Sequence, residues 1–382
     1  MSKKLSITMI SNGMSHHQIP FCEYMARNED VEYHFIATKP LSEERANMGY
    51  QDLNFSGDYI VRSYESVESM DRAMQLANDS DFVIYGSAPY SFIKDRLKKK
   101  KWTCIYSERV FKRGFKDKIT WKYAIAYFQR YFCTSHKRLR LLCASAYASS
   151  DYRYFRFKQK HTYKWGYFPP NTSADIHALV SCKKENSIAW VGRMIDWKHP
   201  ELAIELATML HDRKVPFHLT MVGNGTLYED VKRQIQEKQL EEVVTLTGAL
   251  PTTEVRDVME HSEILLATSD YQEGWGAVVN EGMNSACAVV GSNAMGSVPY
   301  LIRNGENGVA FESGNVEALF QKVYYLLENS DVRAHMGEKA YQAIRSEWNG
   351  ENAGCKLIEM CKQFQAGNED FCYPDGVCSI AK

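Results

Sequence analysis

The stretch Ile188-Ala189-Trp190-Val191-Gly192-Arg193-Met194-Ile195-Asp196-Trp197-Lys198-His199-Pro200 opens on a short apolar run and closes on a proline suited to the first turn of a helix. It reads as a buried strand, a loop carrying two cations, and a helix start. The same order recurs downstream. Phe217–Val222, Val243–Thr247, Ile264–Ala267 and Ala286–Val290 are apolar runs, each followed by Gly-rich or polar residues and then a helical pattern. Such alternation predicts a parallel sheet with helices on both faces. The first half shows a looser version: Leu5–Ile10 precedes the loop Ser11–His17 and an amphipathic stretch Gln18–Arg27, and further strands read at Val31–Ala37, Tyr59–Val61, Asp81–Gly86, Trp102–Tyr106 and Leu141–Ala144. Two prolines and small polar residues at Phe168-Pro169-Pro170-Asn171-Thr172-Ser173 mark a linker. The 382 residues therefore predict two open α/β domains, 1–168 and 169–349, with a cleft between them and a segment from about 350 to 382 that is helical to about Gln365. In open sheets of this type ligands sit beyond the carboxyl ends of the strands, so the loops after strands carry the search.

Composition narrows the class. Hydrophobic residues at 45% and charged residues at 24% exclude a disordered or low-complexity chain. No apolar run reaches the ~20 residues that span a bilayer, and Met1-Ser2-Lys3-Lys4-Leu5 leads into no signal-peptide core, so the expected location is cytoplasmic. The ten cysteines make no C-x-x-C pair and no zinc spacing; Cys22, Cys104, Cys133, Cys143 and Cys287 read as reduced core residues. The net charge of −1 hides an asymmetry. From Lys94 to Lys164, 21 Lys and Arg face four acids, a net of +17, and the remaining 25 bases and 43 acids net −18. The same stretch holds Trp102, Tyr106, Phe111, Phe115, Trp121, Tyr123, Tyr127, Phe128, Tyr131 and Phe132. Anionic lipid, nucleic acid and acidic glycans all reward such a region.

Three groups of residues carry chemistry. Arg193 and Lys198, five apart and just before a helix start, form an electrostatic site for a diphosphate. In Ser269-Asp270-Tyr271-Gln272-Glu273-Gly274-Trp275-Gly276-Ala277-Val278-Val279-Asn280-Glu281-Gly282-Met283, Glu273 is expected at the helix entrance and Glu281 about two turns inside. Their separation is then at most roughly 12 Å, matching a ligand whose two polyhydroxyl groups flank a pyrophosphate. Val222-Gly223-Asn224-Gly225 and Thr247-Gly248-Ala249-Leu250-Pro251 follow strands and present backbone groups, as ordinary turns also do. No G-x-G-x-x-G follows the first strand of either half.

These residues resemble the donor-binding domain of the GT-B glycosyltransferases, specifically the retaining family 4 group (glycosyl transferases group 1) of the bacterial polysaccharide-assembly type. The resemblance runs from about Ser187 to Arg345 and rests on G-R-x4-K at Gly192, Arg193 and Lys198, the V-G-N-G loop, T-G-x-L-P, E-G-W-G followed by N-E-G-M, and Asn293-Ala294-Met295-Gly296-Ser297-Val298-Pro299. It implies two Rossmann-like doubly wound domains facing a cleft, with the C-terminal helix returning to the N-terminal domain. It implies a hexosyl transfer from a nucleotide-diphosphate sugar, UDP-sugar favoured, with retention and without a metal, to a glycan, lipid-linked or polysaccharide acceptor. Arg193 and Lys198 would hold the diphosphate and Glu281 the ribose hydroxyls; Glu273 and the backbone of Gly274, Trp275 and Gly276 would hold the sugar, with Gly223, Gly225, Gly248 and Leu250 in the surrounding loops. His199 stands where a glycine commonly follows the lysine.

The first half is expected to bind the acceptor, with the Gly13 loop, His16 and His17 at the reacting end; His16-His17-Gln18-Ile19-Pro20-Phe21 is similar to the opening of polysaccharide-assembly members. Glu108 either steers the acceptor or pairs with Arg109. Asp79-Ser80-Asp81 spells D-x-D but precedes the strand Phe82–Tyr85, where a metal site of that kind does not belong, so it reads as a helix-to-strand turn. The basic region predicts peripheral association with an anionic membrane surface and no nucleic acid partner, since a groove for phosphodiester backbone has no use for the paired glutamates. A sugar-nucleotide epimerase of the same fold is the enzymatic alternative, a nucleic-acid or glycan binding module the non-enzymatic one; a phosphorylase would need a longer chain and a pyridoxal lysine.

Overall fold

Parallel pairing joins every apolar run noted above into one of two sheets, as the computed structural model of the chain shows for residues 4–43, 51–114, 118–132, 136–171 and 175–382, with backbone only at 118–120, 123 and 132. The chain divides into two units, one made of Met1–Pro170 with Glu347–Lys382, the other of Asn171–Ser346.

In unit 1 the strands are β1 (Leu5–Ser11), β2 (Val31–Ala37), β3 (Ile60–Arg62), β4 (Phe82–Tyr85), β5 (Trp102–Ser107), β6 (Leu139–Cys143) and β7 (Thr162–Lys164). They lie in the order β3-β2-β1-β4-β5-β6-β7, all parallel. The order reverses between β1 and β4, so the loops after these two strands splay apart and leave a crevice. Strand interiors are apolar on both faces, with Ile7, Phe35, Val83 and Leu141 fully buried, as a sheet covered twice by helices requires. The helix Gly350–Gln365 packs on the helix Ile19–Arg27. A Cβ on Gly350 would stand 2.4 Å from the Phe21 nitrogen, and one on Gly354 would stand 2.3 Å from the Tyr24 ring. Only glycine permits that approach. Beyond the helix, the chain lies along β7: Lys164 N donates to Ser379 O (2.7 Å), Cys378 N to Lys164 O (2.9 Å) and Ala381 N to Thr162 O (2.9 Å). The last residues thus cover the sheet edge that β7 would expose.

In unit 2 the strands are β8 (Ser187–Val191), β9 (His218–Val222), β10 (Val244–Gly248), β11 (Ile264–Ala267), β12 (Ala288–Ser292) and β13 (Val309–Phe311), in the order β10-β9-β8-β11-β12-β13. Here the order reverses between β8 and β11. One apolar core runs from Ile188 and Trp190 through Leu206 and Leu210 to Val323 and Leu326.

The asymmetric charge is only partly at the surface. Arg96 is fully buried and donates to the carbonyls of Ser80 (2.8 Å), Asp81 (2.9 Å) and Ala77 (3.2 Å); burial pulls its guanidinium down to about 10. Arg140 is also buried, stacked over Trp102 and Phe364 and bonded to Glu369 O (2.6 Å). Trp102, Phe111 and Tyr131 belong to the core. Trp121, Ile125 and Phe128 are about half exposed and fall at i, i+4 and i+7 along the helix Lys118–Tyr127 and its π-helical continuation Phe128–Phe132. Phe115 and Cys133 lie outside the described residues, as do the side chains of Tyr123 and Phe132. Nine described cysteines are free thiols, and Cys22, Cys104, Cys143 and Cys287 are buried. Asp79 ends the helix Val67–Asp79, and the Asp81 carboxylate accepts from Ser6 N (3.0 Å) and Ser6 Oγ (2.9 Å), so the D-x-D is a helix-to-strand turn.

Candidate functional site

The reversal point of unit 2 brings together the loops after β8 and β11. Residues Asp196–Lys198 form a 3-10 turn, and the helix Pro200–Asp212 starts on Pro200. Lys198 Nζ forms an ion pair with the Glu273 carboxylate, both side chains being mostly shielded from solvent. Ser269 Oγ also donates to this carboxylate (3.4 Å). Backbone contacts lock the two loops: Thr268 Oγ1 donates to Lys198 O (2.6 Å) and accepts from Trp190 Nε1 (2.8 Å), and Asp270 N donates to Trp197 O (2.9 Å). Arg193 stands apart from the pair, exposed, with its guanidinium over the Trp197 ring at 5.7 Å.

His199, where glycine was expected, holds the left-handed conformation that glycine would take, with φ 49° and ψ 55°. Its ring lies between two carboxylates, Nδ1 to Glu201 Oε1 at 2.6 Å and Nε2 to Asp270 Oδ2 at 3.4 Å. Hydrogen bonds to Asp270 and then Glu201 raise its pKa to about 9, against the effect of burial. Neither Asp270 nor His199 was singled out for a role in the sequence; the only signal was a non-glycine at a position calling for positive φ.

The glycine loops join the strand ends. Gly223 N donates to Gly248 O (2.8 Å), Gly192 N to Val222 O (3.0 Å) and Met194 N to Asn224 O (2.9 Å). Gly223 has φ +137°, and a Cβ there would fall 1.8 Å from the Gly192 carbonyl oxygen. Gly225 likewise lies against Met194 O, and Leu250 is half-buried ahead of the helix Thr252–Glu260.

The expected position of Glu281 needs correction. The helix spans Val278–Asn284, so Glu281 lies in its first turn and Glu273 in the preceding loop. Gly276, at φ +88°, cannot continue a right-handed helix backwards, which delays the start. Burial holds the Glu281 carboxyl up at about 7, against the attraction of Arg256 and Lys198. Trp275 is fully buried and donates from Nε1 to Asn280 Oδ1 (2.8 Å), so its side chain is core and only its backbone borders the loop. Its carbonyl accepts from Ser297 N (3.0 Å) and the Gly276 carbonyl from Ser297 Oγ (3.3 Å), tying the Gly-rich loop to the Asn293–Pro299 segment.

Unit 1 carries a cavity of about 400 Å³ at its own reversal point, bordered by the Gly13 loop after β1, the turn after β4 and the Glu108 loop after β5. Tyr106, Tyr131, Tyr152 and Tyr167 supply aromatic walls, and Arg109 and Arg130 supply cations. The Gly13 loop is fixed by Met14 N donating to Asn54 Oδ1 (2.8 Å) and Ser15 N to Gln18 Oε1 (3.1 Å). The His16 and His17 rings are 3.7 Å apart, and His17 stacks on Tyr167 at 5.6 Å. Burial, then the neighbouring His16, pulls the His17 pKa down to about 3, so its imidazole is neutral. Glu108 does not pair with Arg109. Its carboxylate takes the Lys112 ammonium and the Tyr167 hydroxyl (2.6 Å), and Arg109 turns to Asp151 (3.6 Å).

Residues 172–343 match the family described as Glycosyl transferases group 1. Among curated proteins, the chain is 29% identical over 170 residues to the poly(ribitol-phosphate) alpha-N-acetylglucosaminyltransferase of Staphylococcus aureus (strain COL), covering 44% of this chain and 34% of that protein. It is 30% identical over 169 residues to the trehalose synthase of Pyrococcus horikoshii, covering 42% of this chain and 40% of that protein. The matched part thus spans well under two thirds of either relative. Among solved structures, Anabaena Alr3699/HepE in complex with UDP superposes with a TM-score of 0.67 over 94% of this chain and 100% of that one, at 11% identity. A mutant of S. aureus TarM in complex with Fondaparinux, alpha-GlcNAc-glycerol and UDP superposes with a TM-score of 0.57 over 73% of this chain and 55% of that one, at 22% identity. At these identities the superpositions establish a shared fold.

Proposed function

We propose that this chain, whose residues 172–343 match the glycosyl transferases group 1 family and whose two units have the GT-B fold, transfers a hexosyl unit from a nucleotide-diphosphate sugar to a glycan acceptor. The observation that carries this reading is the Lys198–Glu273 pair at the strand reversal of unit 2, where a cation and a carboxylate stand among backbone turns that exclude side chains.

In this reading the donor diphosphate takes the Lys198 ammonium and draws in the exposed Arg193, while Glu281 accepts from the ribose hydroxyls. Glu273 and the Gly274–Gly276 backbone hold the sugar. Charge on the departing nucleoside diphosphate is met by the two cations, so the reading assigns no metal role. The anomeric configuration is retained without a protein nucleophile. UDP is the favoured nucleotide, supported by the UDP named with the superposed HepE and TarM structures. The tyrosine-walled cavity of unit 1 holds the acceptor, a sugar of a glycan, lipid-linked or polysaccharide chain, with neutral His17 near its reacting hydroxyl. The half-exposed Trp121, Ile125 and Phe128, amid the Lys and Arg excess of residues 94–164, rest on an anionic membrane surface, which places the protein at the cytoplasmic face. Among the described residues no helix is long and apolar enough to cross a membrane.

Nucleotide release from a panel of UDP-, GDP- and ADP-sugars tests the proposal. Release of UDP that rises when a glycan acceptor is added supports transfer. Conversion of the sugar nucleotide into an isomer without release would identify an epimerase, and no turnover with any donor would leave a binding module. Thermal stabilisation by UDP, GDP or ADP selects the base independently of the acceptor.

A further inference from the structure

Lys198 and Glu273 come from loops about seventy residues apart, and an ion pair of two long side chains does not position itself. Something must fix the turn that presents the lysine. The residue that follows it, His199, is strained: a β-carbon-bearing residue at φ 49° is disfavoured relative to glycine. That cost is offset by the imidazole contacts. Asp270, which receives the ring at 3.4 Å, is also the hinge of the second loop. Its nitrogen donates to Trp197 O (2.9 Å), its carbonyl accepts from Glu273 N (3.1 Å), and its carboxylate accepts from Gln272 N (2.8 Å). One aspartate thus joins the residue after Lys198 to the backbone of Glu273.

We propose that His199 is a positioning residue for donor binding: its imidazolium latches the loop after β8 to Asp270 and Glu201, holds Lys198 against Glu273, and cancels one of the two carboxylate charges that would otherwise repel an incoming diphosphate. The inference rests on the donor reading given above and adds a residue and a pH dependence to it. The groups in contact with the ring are Asp270 from the loop after β11 and Glu201 from the helix Pro200–Asp212; Asp196 of its own loop borders the same shallow cavity as the ring. Asp230 and Arg233 of the helix Tyr228–Glu237 border the same shallow cavity. The carboxylates dominate, which is why the ring stays protonated to about pH 9. Since the folded pKa lies above that of free histidine, the latch is complete at neutral pH and is lost as the pH rises through about 9.

The test measures UDP affinity by calorimetry between about pH 7.5 and 10 for the full chain and for His199→Gly, His199→Asn, Asp270→Asn and Lys198→Ala. Glycine keeps the left-handed turn, so His199→Gly removes the latch and the backbone strain together. Wild type is expected to bind UDP steadily to about pH 8.5 and to weaken above it, while His199→Gly binds about tenfold more weakly at pH 7.5 and lacks that break. Asparagine tolerates the same turn and offers Asp270 a neutral donor, so His199→Asn recovers part of the affinity without the break. Asp270→Asn with His199→Gly is expected to cost little more than either alone. UDP binding by His199→Gly within twofold of wild type, or with the same high-pH break, overturns the latch. The donor reading fails separately: it falls if wild type and Lys198→Ala bind UDP equally.

Discussion

Substituting Gly223 by alanine tests whether the strand-end loops of unit 2 are packed backbone to backbone, as the proposed donor site requires. The new methyl would sit 1.8 Å from the Gly192 carbonyl oxygen, and the residue would hold φ +137°, where side-chain-bearing residues are strained. Forcing an atom into filled space costs about 1–3 kcal/mol. The backbone conformation adds about 1–2 kcal/mol. Together they predict about 3 kcal/mol, and at roughly 2–4 °C per kcal/mol for a unit of this size the melting transition drops by about 6–12 °C. Gly305→Ala is the matched control in the same unit: φ is +86°, but no atom lies within 4 Å of the added Cβ. It carries the conformational cost alone, about 1–2 kcal/mol and a few degrees. Calorimetry of both variants reads the difference, and UDP titration of the folded Gly223→Ala protein reads the displacement of the Gly192–Lys198 loop. Equal shifts in the two variants would refute the steric reasoning.

Four further outcomes rest on individual side chains. UDP affinity should rise with pH through about 7 as Glu281 ionises and gains acceptor capacity for ribose hydroxyls, and Glu281→Gln should show no such rise. The same raised pKa makes ionisation costly in the folded state, so relative to Glu281→Gln the wild-type melting temperature should fall between about pH 4.5 and 7. His17→Ala should lower transfer about a hundredfold with donor binding unchanged, and no His17 titration should show in the rate between about pH 5 and 8. Cosedimentation with anionic but not neutral vesicles at low salt should be lost when Trp121, Ile125 and Phe128 are replaced by serine; equal recovery on both vesicle types would remove the membrane role and leave the transferase reading intact.

Apolar runs long enough to be covered on both faces announced the central strands, and β1, β2, β5 and β8 to β12 are legible within a residue or two. The edge strands β7 and β13 are three residues each, too short for any period, and only their sheet neighbours define them. At the site, the spacing of Gly192, Arg193 and Lys198 and of Glu273 and Glu281 was readable because it is local. The His199–Asp270 contact was not, since it depends on a left-handed turn and on two loops meeting at the sheet reversal. Glu108 shows the same limit. Its sequence neighbour Arg109 was the obvious partner, yet the strand exit directs it to Lys112 and to Tyr167, 59 positions away. Likewise, a charge count over residues 94–164 does not separate surface from interior, and Arg96 and Arg140 are interior staples.

The return of residues 347–382 to unit 1 has a bearing on biosynthesis. Unit 2 is a continuous piece of chain, complete once Ser346 has left the ribosome, whereas unit 1 lacks a packed helix and the cover of its β7 border until residues 347–382 have emerged as well. Unit 2 therefore reaches its native state ahead of residues 1–170, which are made before it yet wait, incomplete and in need of protection from premature association. Nascent chains stalled near residue 380, where Ser346 has emerged and residues 347–380 have not, should resist protease across 175–346 while remaining susceptible before 170.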